Sequence, residues 1–183
     1  RFEHSHDNFK AAMDWFSEHD AESQLRLCAA LCDFWLVRSY YLEGLNRLRS
    51  ALKANREQTS SASLRAIRGA GQICFRLGDS ATARDFFNQG IQVCRKAGDA
   101  RQEALMGISL GLLLAAREEE YESARNLITR SLKLGRGLGD QYILMKSLSA
   151  LGTLECLREN YKGSEQFFQE VVMLAGETGN QVS

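Results

Sequence analysis

"RKAGD" at Arg95–Asp99 returns as "RGLGD" at Arg136–Asp140 and as "GETGN" at Gly176–Asn180, so Asp99, Asp140 and Asn180 stand 41 and 40 residues apart. In each copy the glycine suits the left-handed residue that ends an α-helix. The Asp or Asn after it suits the N-cap of a following helix, where its side chain accepts from orphan backbone amides. Each copy therefore reads as a helix stop at Gly98, Gly139 or Gly179, followed at once by a helix start.

A second set of positions keeps the same period. Leu31-Cys32, Ala70-Gly71, Leu110-Gly111 and Leu151-Gly152 place their second members 39, 40 and 41 residues apart. A small residue follows 12 or 13 residues later (Gly44, Ala83, Ala124, Ser164), and a large apolar one four beyond it (Leu48, Phe87, Ile128, Phe168). This is a tandem array with a unit of about 40 residues. Within a unit the pattern is helical: Leu64, Ile67, Gly71, Cys74 and Leu77 step by three or four residues, then Ala83, Phe87, Gly90 and Cys94 do the same. "LGDSA" at Leu77–Ala81 lies between them as a turn, with Gly78 closing one helix and Asp79 or Ser80 capping the next. Small residues recur midway because paired helices cross there.

The sequence thus predicts an all-α chain: a leading helix over 1–20, capped at Asp7, then helical hairpins over 21–58, 59–98, 99–139 and 140–179. The absence of proline from 183 residues agrees, since proline breaks helix interiors. Lys plus Arg, 23, equals Asp plus Glu, 23, which argues against direct nucleic-acid binding. No apolar run reaches the roughly 20 residues of a membrane span, and no leader peptide opens the chain. The start at Arg1 suggests a fragment of a longer protein, and further repeats are expected after Asn180. The five cysteines form no C-x-x-C pair, and a reducing, cytoplasmic setting is expected. Cys28 and Cys32 share a helical face and could hold half a metal site, but no second pair completes it, so all five read as small core residues.

The Leu-Gly of the first helix, the small residue of the second and the large apolar residue after it resemble the tetratricopeptide repeat (TPR). Leu110-Gly111, Ala124 and Ser131 carry the likeness, as do Leu151-Gly152, Tyr161 and Ser164. The period is longer than that family's standard, the usual proline is missing, and the turn "REEEYESA" in the third unit holds an extra residue. The resemblance implies a right-handed α-solenoid of antiparallel hairpins. His6–Leu52 is further similar to the start of the repeat region in bacterial signal-transduction ATPases and LuxR-type transcriptional regulators. Asn8, Ala11 or Ala12, Trp15, Leu31, Phe34, Trp35, Glu43 and Gly44 fit, and Ser39 stands where a glycine is expected.

Catalysis finds no support in the sequence. His4, His6 and His19 have no cysteine or carboxylate cluster beside them, and "GRGLGD" follows a helix rather than the strand a phosphate loop needs. No catalytic residue, metal or cofactor is expected. Function is sought instead on the exposed face of the first helices, where stacked hairpins bind peptides. That groove is expected to receive Arg26, then Arg65, Arg68, Gln72, Phe75 and Arg76, then Leu112 and Lys146. Ala29, Leu105, Ile108 and Cys156 were placed in it by the same spacing. The arginines read either as a solvated face or as a groove for an acidic or C-terminal peptide. "LMGISLGLLLAA" at Leu105–Ala116 reads as groove or as a helix buried between neighbours. Two functions follow: the sensor arm of a larger regulator or signalling ATPase, binding a protein, a peptide or a small inducer, or a homo-oligomerisation module pairing through the exposed C-terminal helix.

Overall fold

A computed structural model of the chain describes residues 2–55 and 59–180, with side chains over 7–55 and 59–176. The described residues form nine α-helices and no strand. They are α1 (Phe2–His19), α2 (Ala21–Val37), α3 (Tyr41–Ala54), α4 (Ser61–Arg76), α5 (Ser80–Ala97), α6 (Ala100–Leu114), α7 (Tyr121–Leu138), α8 (Gln141–Leu157) and α9 (Tyr161–Asn180). A 3-10 turn at Glu118–Glu120 precedes α7. Contacts divide the chain into two compact units, Arg1–Val93 and Cys94–Ser183. In the first, α2 packs on α1, α3 and α4, and α3 packs on α4. In the second, α6 packs on α7, α7 on α8 and α8 on α9.

The helix ends follow from local chemistry. Asp99 and Asp140 accept hydrogen bonds from Gln102 N at 2.9 Å and Ile143 N at 3.1 Å, and Asp79 accepts from Thr82 N at 3.1 Å. Gly98 and Gly139 take φ of 71° and 62°, which lets Asp99 N reach Cys94 O and Asp140 N reach Gly135 O in Schellman closures. Ser39 has φ of 60°, so the site where glycine was expected does take the left-handed conformation. Two boundaries differ from expectation. α1 starts at Phe2, placing Asp7 inside the helix rather than at its cap. α9 runs through Gly179 to Asn180, so the third pentapeptide is no stop. Glycine permits the left-handed residue without compelling it, and a helix that meets no turn there simply continues.

Packing explains the small residues. A Cβ placed on Gly71 would stand 2.6 Å from Phe87 Cε1, and one on Gly111 2.5 Å from Ile128 Cγ1. Both are distances that real side chains do not reach. Phe87, Ile128 and their repeat equivalent Leu48 are each 0 % exposed. The large apolar residue of the second helix is therefore a knob, and the small residue of the first is the hole that receives it. At the fourth crossing Ser164 Oγ donates to Gly152 O at 2.8 Å. Trp35, 0 % exposed, lies over Gly44 in the first hairpin, and Met13 of α1 is buried against α2.

One buried charge ties neighbouring helices. Glu103 of α6, 8 % exposed, accepts from Arg95 Nε at 2.8 Å and from Arg130 Nε at 2.9 Å. Burial pushes its carboxyl up, but the two guanidinium groups outweigh that and hold it below the ordinary value of 4.5. A carboxylate with a depressed folded-state pKa stabilises the fold above its unfolded pKa, and that stabilisation fades as pH falls through the folded value.

Gly71→Leu and Gly111→Leu should each cost about 1–3 kcal/mol or more. Exposed Asn126→Ala should stay within about 0.5 kcal/mol. Equal urea midpoints for the two kinds of variant would remove the knob-and-hole crossing. Glu103→Gln should cost about 1–3 kcal/mol at neutral pH, and its gap to the parent should narrow as pH falls below 4.5. A gap that does not change with pH would mean that the charge of Glu103 contributes nothing.

Candidate functional site

The crossing consumes one face of each first helix and leaves the opposite face outward. On α4 that face carries Arg65, Arg68, Gln72, Phe75 and Arg76 at successive helical steps. Arg65 and Arg76 are exposed, and Phe75 is 41 % exposed between them. Arg68 is half-buried: its Nη1 donates to Gln72 Oε1 at 3.4 Å, while its Nε is buried without a hydrogen-bond partner among the described residues. Arg26 is exposed on α2, the helix against which α4 packs. The first unit thus gathers six of the expected groove residues on the outer faces of two adjacent helices.

The second unit holds the other two. Leu112 of α6 is half-buried, and Lys146 of α8 is exposed with its Nζ 5.2 Å from the centre of the Tyr142 ring. Leu105 and Ile108, expected in the groove, are only 6 % and 4 % exposed, and Ala29 in the first unit is 3 % exposed. α6 is buried on nearly every side, with Gln102 to Ile108 covered without a break. "LMGISLGLLLAA" is therefore a core helix, because an all-apolar surface has no wet face to offer.

The cysteines divide four to one. Cys28, Cys32, Cys74 and Cys94 are buried. Cys28 Sγ lies 3.7 Å from Met13 Sδ, and burial pushes the Cys28 and Cys32 thiols up to about 11 and about 12. Cys156 is exposed, which corrects the reading of all five as core residues; its Sγ lies on the outer side of α8, 3.3 Å from Ser164 Oγ. No cluster of three or more metal-ligating side chains occurs among the described residues. The His19 ring stacks on Trp15 at 4.5 Å, and its Nδ1 lies 2.8 Å from Trp15 O; the side chains of His4 and His6 lie outside the described residues. No described helix is long and apolar enough to cross a membrane.

One feature escaped the sequence. A cavity of about 520 Å³ opens in the second unit among Ala115–Glu118, Tyr121, Leu154 and Leu157–Glu159. Its sequence signal was the extra residue in "REEEYESA", which folds as the 3-10 turn and brings Tyr121 and Glu118 to Arg158.

No family model and no curated relative matches the chain. Solved structures do match its fold. BtubC (BKLC) from P. vanneervenii is 13 % identical, with a TM-score of 0.79 over 97 % of this chain and 74 % of that one. A Podosopora anserina protein of kinesin light chain type with nearly identical TPR-like repeats is 10 % identical, with a TM-score of 0.70 over 94 % and 85 %. A Rap protein complexed with Competence and Sporulation Factor is 16 % identical, with a TM-score of 0.55; this chain is covered over 96 % and spans 59 % of that one. The fold is an all-α, TPR-like array of helical hairpins.

In the folded protein one thiol should react promptly with Ellman's reagent, and Cys156→Ser should abolish that reaction. Prompt reaction of two or more thiols would contradict the burial of Cys28, Cys32, Cys74 and Cys94.

Proposed function

We propose that this chain is a non-catalytic binding module whose recognition face is the outer side of α2 and α4, and that its partner is an acidic protein or peptide segment. The observation that carries this reading is the α4 stripe. Arg65, Arg68 and Arg76 surround the half-exposed Phe75, and the buried Nε of Arg68 is left without an acceptor. An unpaired buried donor costs on the order of 1–3 kcal/mol, and a carboxylate laid along the stripe would relieve that cost while Phe75 supplies apolar area. The similar Rap protein is complexed with Competence and Sporulation Factor, which supports looking for a ligand rather than a reaction. The likeness of His6–Leu52 to regulator repeat regions supports a place as the sensor or interaction arm of a larger transcriptional regulator or signalling ATPase. In that setting the module works in the cytoplasm.

A second reading rests on a different surface. α9 exposes Phe168, Val172 and Met173 at 39 %, 70 % and 63 %, although the equivalents of Phe168 in the other hairpins are fully buried. Self-association through α9 would cover that face. Light scattering across protein concentration separates the two: a mass that does not change with concentration disfavours assembly.

Replacing Arg65, Arg68 and Arg76 together with Ala should weaken binding of an Asp/Glu-rich peptide at least tenfold while leaving the helical circular dichroism intact. Raised salt should weaken binding by the parent chain as well. Unchanged affinity in the triple variant would reduce the stripe to solvated surface.

A further inference from the structure

The cavity in the second unit sits at the carboxyl ends of α6 and α8, and its lining is divided by chemistry. Ala115, Ala116, Leu154 and Leu157 make an apolar floor, with Leu157 59 % exposed. Tyr121 makes a wall. The Arg158 guanidinium lies 4.7 Å above its ring, and Arg158 Nη1 stands 3.0 Å from Glu118 Oε1. The chain thus already places a cation with an aliphatic stem against this aromatic face and beside a carboxylate. That pair is weakly held, because its side chains are 44 % and 86 % exposed.

The charge around the mouth decides the sign of a guest. Glu118, Glu119, Glu120 and Glu159 face only Arg117 and Arg158 there, while Arg125 and Glu155 behind Tyr121 offset one another. An excess of carboxylate favours a cation over an anion. Glu159 adds an independent observation. It holds φ of 60° in the α8–α9 turn, where the α4–α5 turn has Gly78 with φ of 81°. A side chain costs about 1–2 kcal/mol in that conformation, so a long carboxylate is kept on the cavity rim at a position that suits glycine.

We infer that this cavity receives a lysine or arginine side chain from a partner polypeptide. The aliphatic stem lies on Leu154 and Leu157, and the charged end meets Glu159 and Glu118. A volume of about 520 Å³ admits such a side chain with room for water. The site is separate from the arginine stripe of α4 and does not depend on it.

The test uses the intact chain and Nα-acetyl-lysine N-methylamide, followed by the methyl NMR signals of Ala115, Ala116, Leu154 and Leu157. The expected result is saturable shifts of those methyls with a dissociation constant on the order of millimolar. The neutral Nε-acetylated analogue should give none. Glu159→Gly suits the turn, so it should keep or raise the melting temperature while weakening the probe about two- to fivefold. Arg117→Ala removes a competing charge and should tighten binding by a similar factor. Three results would overturn the inference: no saturable shift, equal shifts with the neutral analogue, or weaker binding in Arg117→Ala, which would mark an anion site.

Discussion

Two helices that cross closely leave no room for a side chain at the crossing, and much of the rest of this structure follows from that exclusion. Gly71 and Gly111 would drive a Cβ into Phe87 and Ile128, and those residues are fully buried because the glycines let them in. Once the crossing is fixed, the heptad-like steps on either side of it decide which residues are core and which face water. The caps and left-handed closures then set where each helix may begin. Asp99 and Asp140 accept from backbone amides only because Gly98 and Gly139 have turned the chain back toward the preceding helix.

Ion pairs in the second unit keep the repeat period. Arg101 Nε reaches the capping carboxylate Asp140 at 2.8 Å across 39 residues, and Arg158 reaches Glu118 across 40. Each joins one hairpin to the like end of its neighbour. Being largely exposed, such pairs select register more than they add stability. Glu103 differs in being buried between two arginines, so losing its charge would cost more than losing a surface pair.

The fold was largely legible because its determinants are local and repeated. A cap needs only a glycine and an Asp in sequence, and a crossing needs only a small residue at a fixed distance from a large one. Gly179 shows the limit of that logic: the same letters occur there, yet α9 continues through them. The candidate site was legible by halves. Spacing placed Arg65, Arg68, Phe75 and Arg76 on one outward face, but it also put Leu105 and Ile108 there, which neighbouring helices cover. Periodicity names the face of a helix and cannot say how many sides its neighbours will bury. The Tyr121–Arg158 cavity was not legible, because it depends on a 3-10 turn and on residues brought together from two hairpins.

The central claim, that the crossing is a matched pair of knob and hole, is tested most directly by a double-mutant cycle at Gly71 and Phe87. Every close approach to a Cβ on Gly71 comes from the Phe87 ring, so shortening that ring should make room for it. Gly71→Ala and Phe87→Leu should each lower stability alone. Together they should cost less than their sum by about 0.5–3 kcal/mol. Additivity within about 0.3–0.5 kcal/mol would contradict the account, since it would mean that the two positions do not share one space.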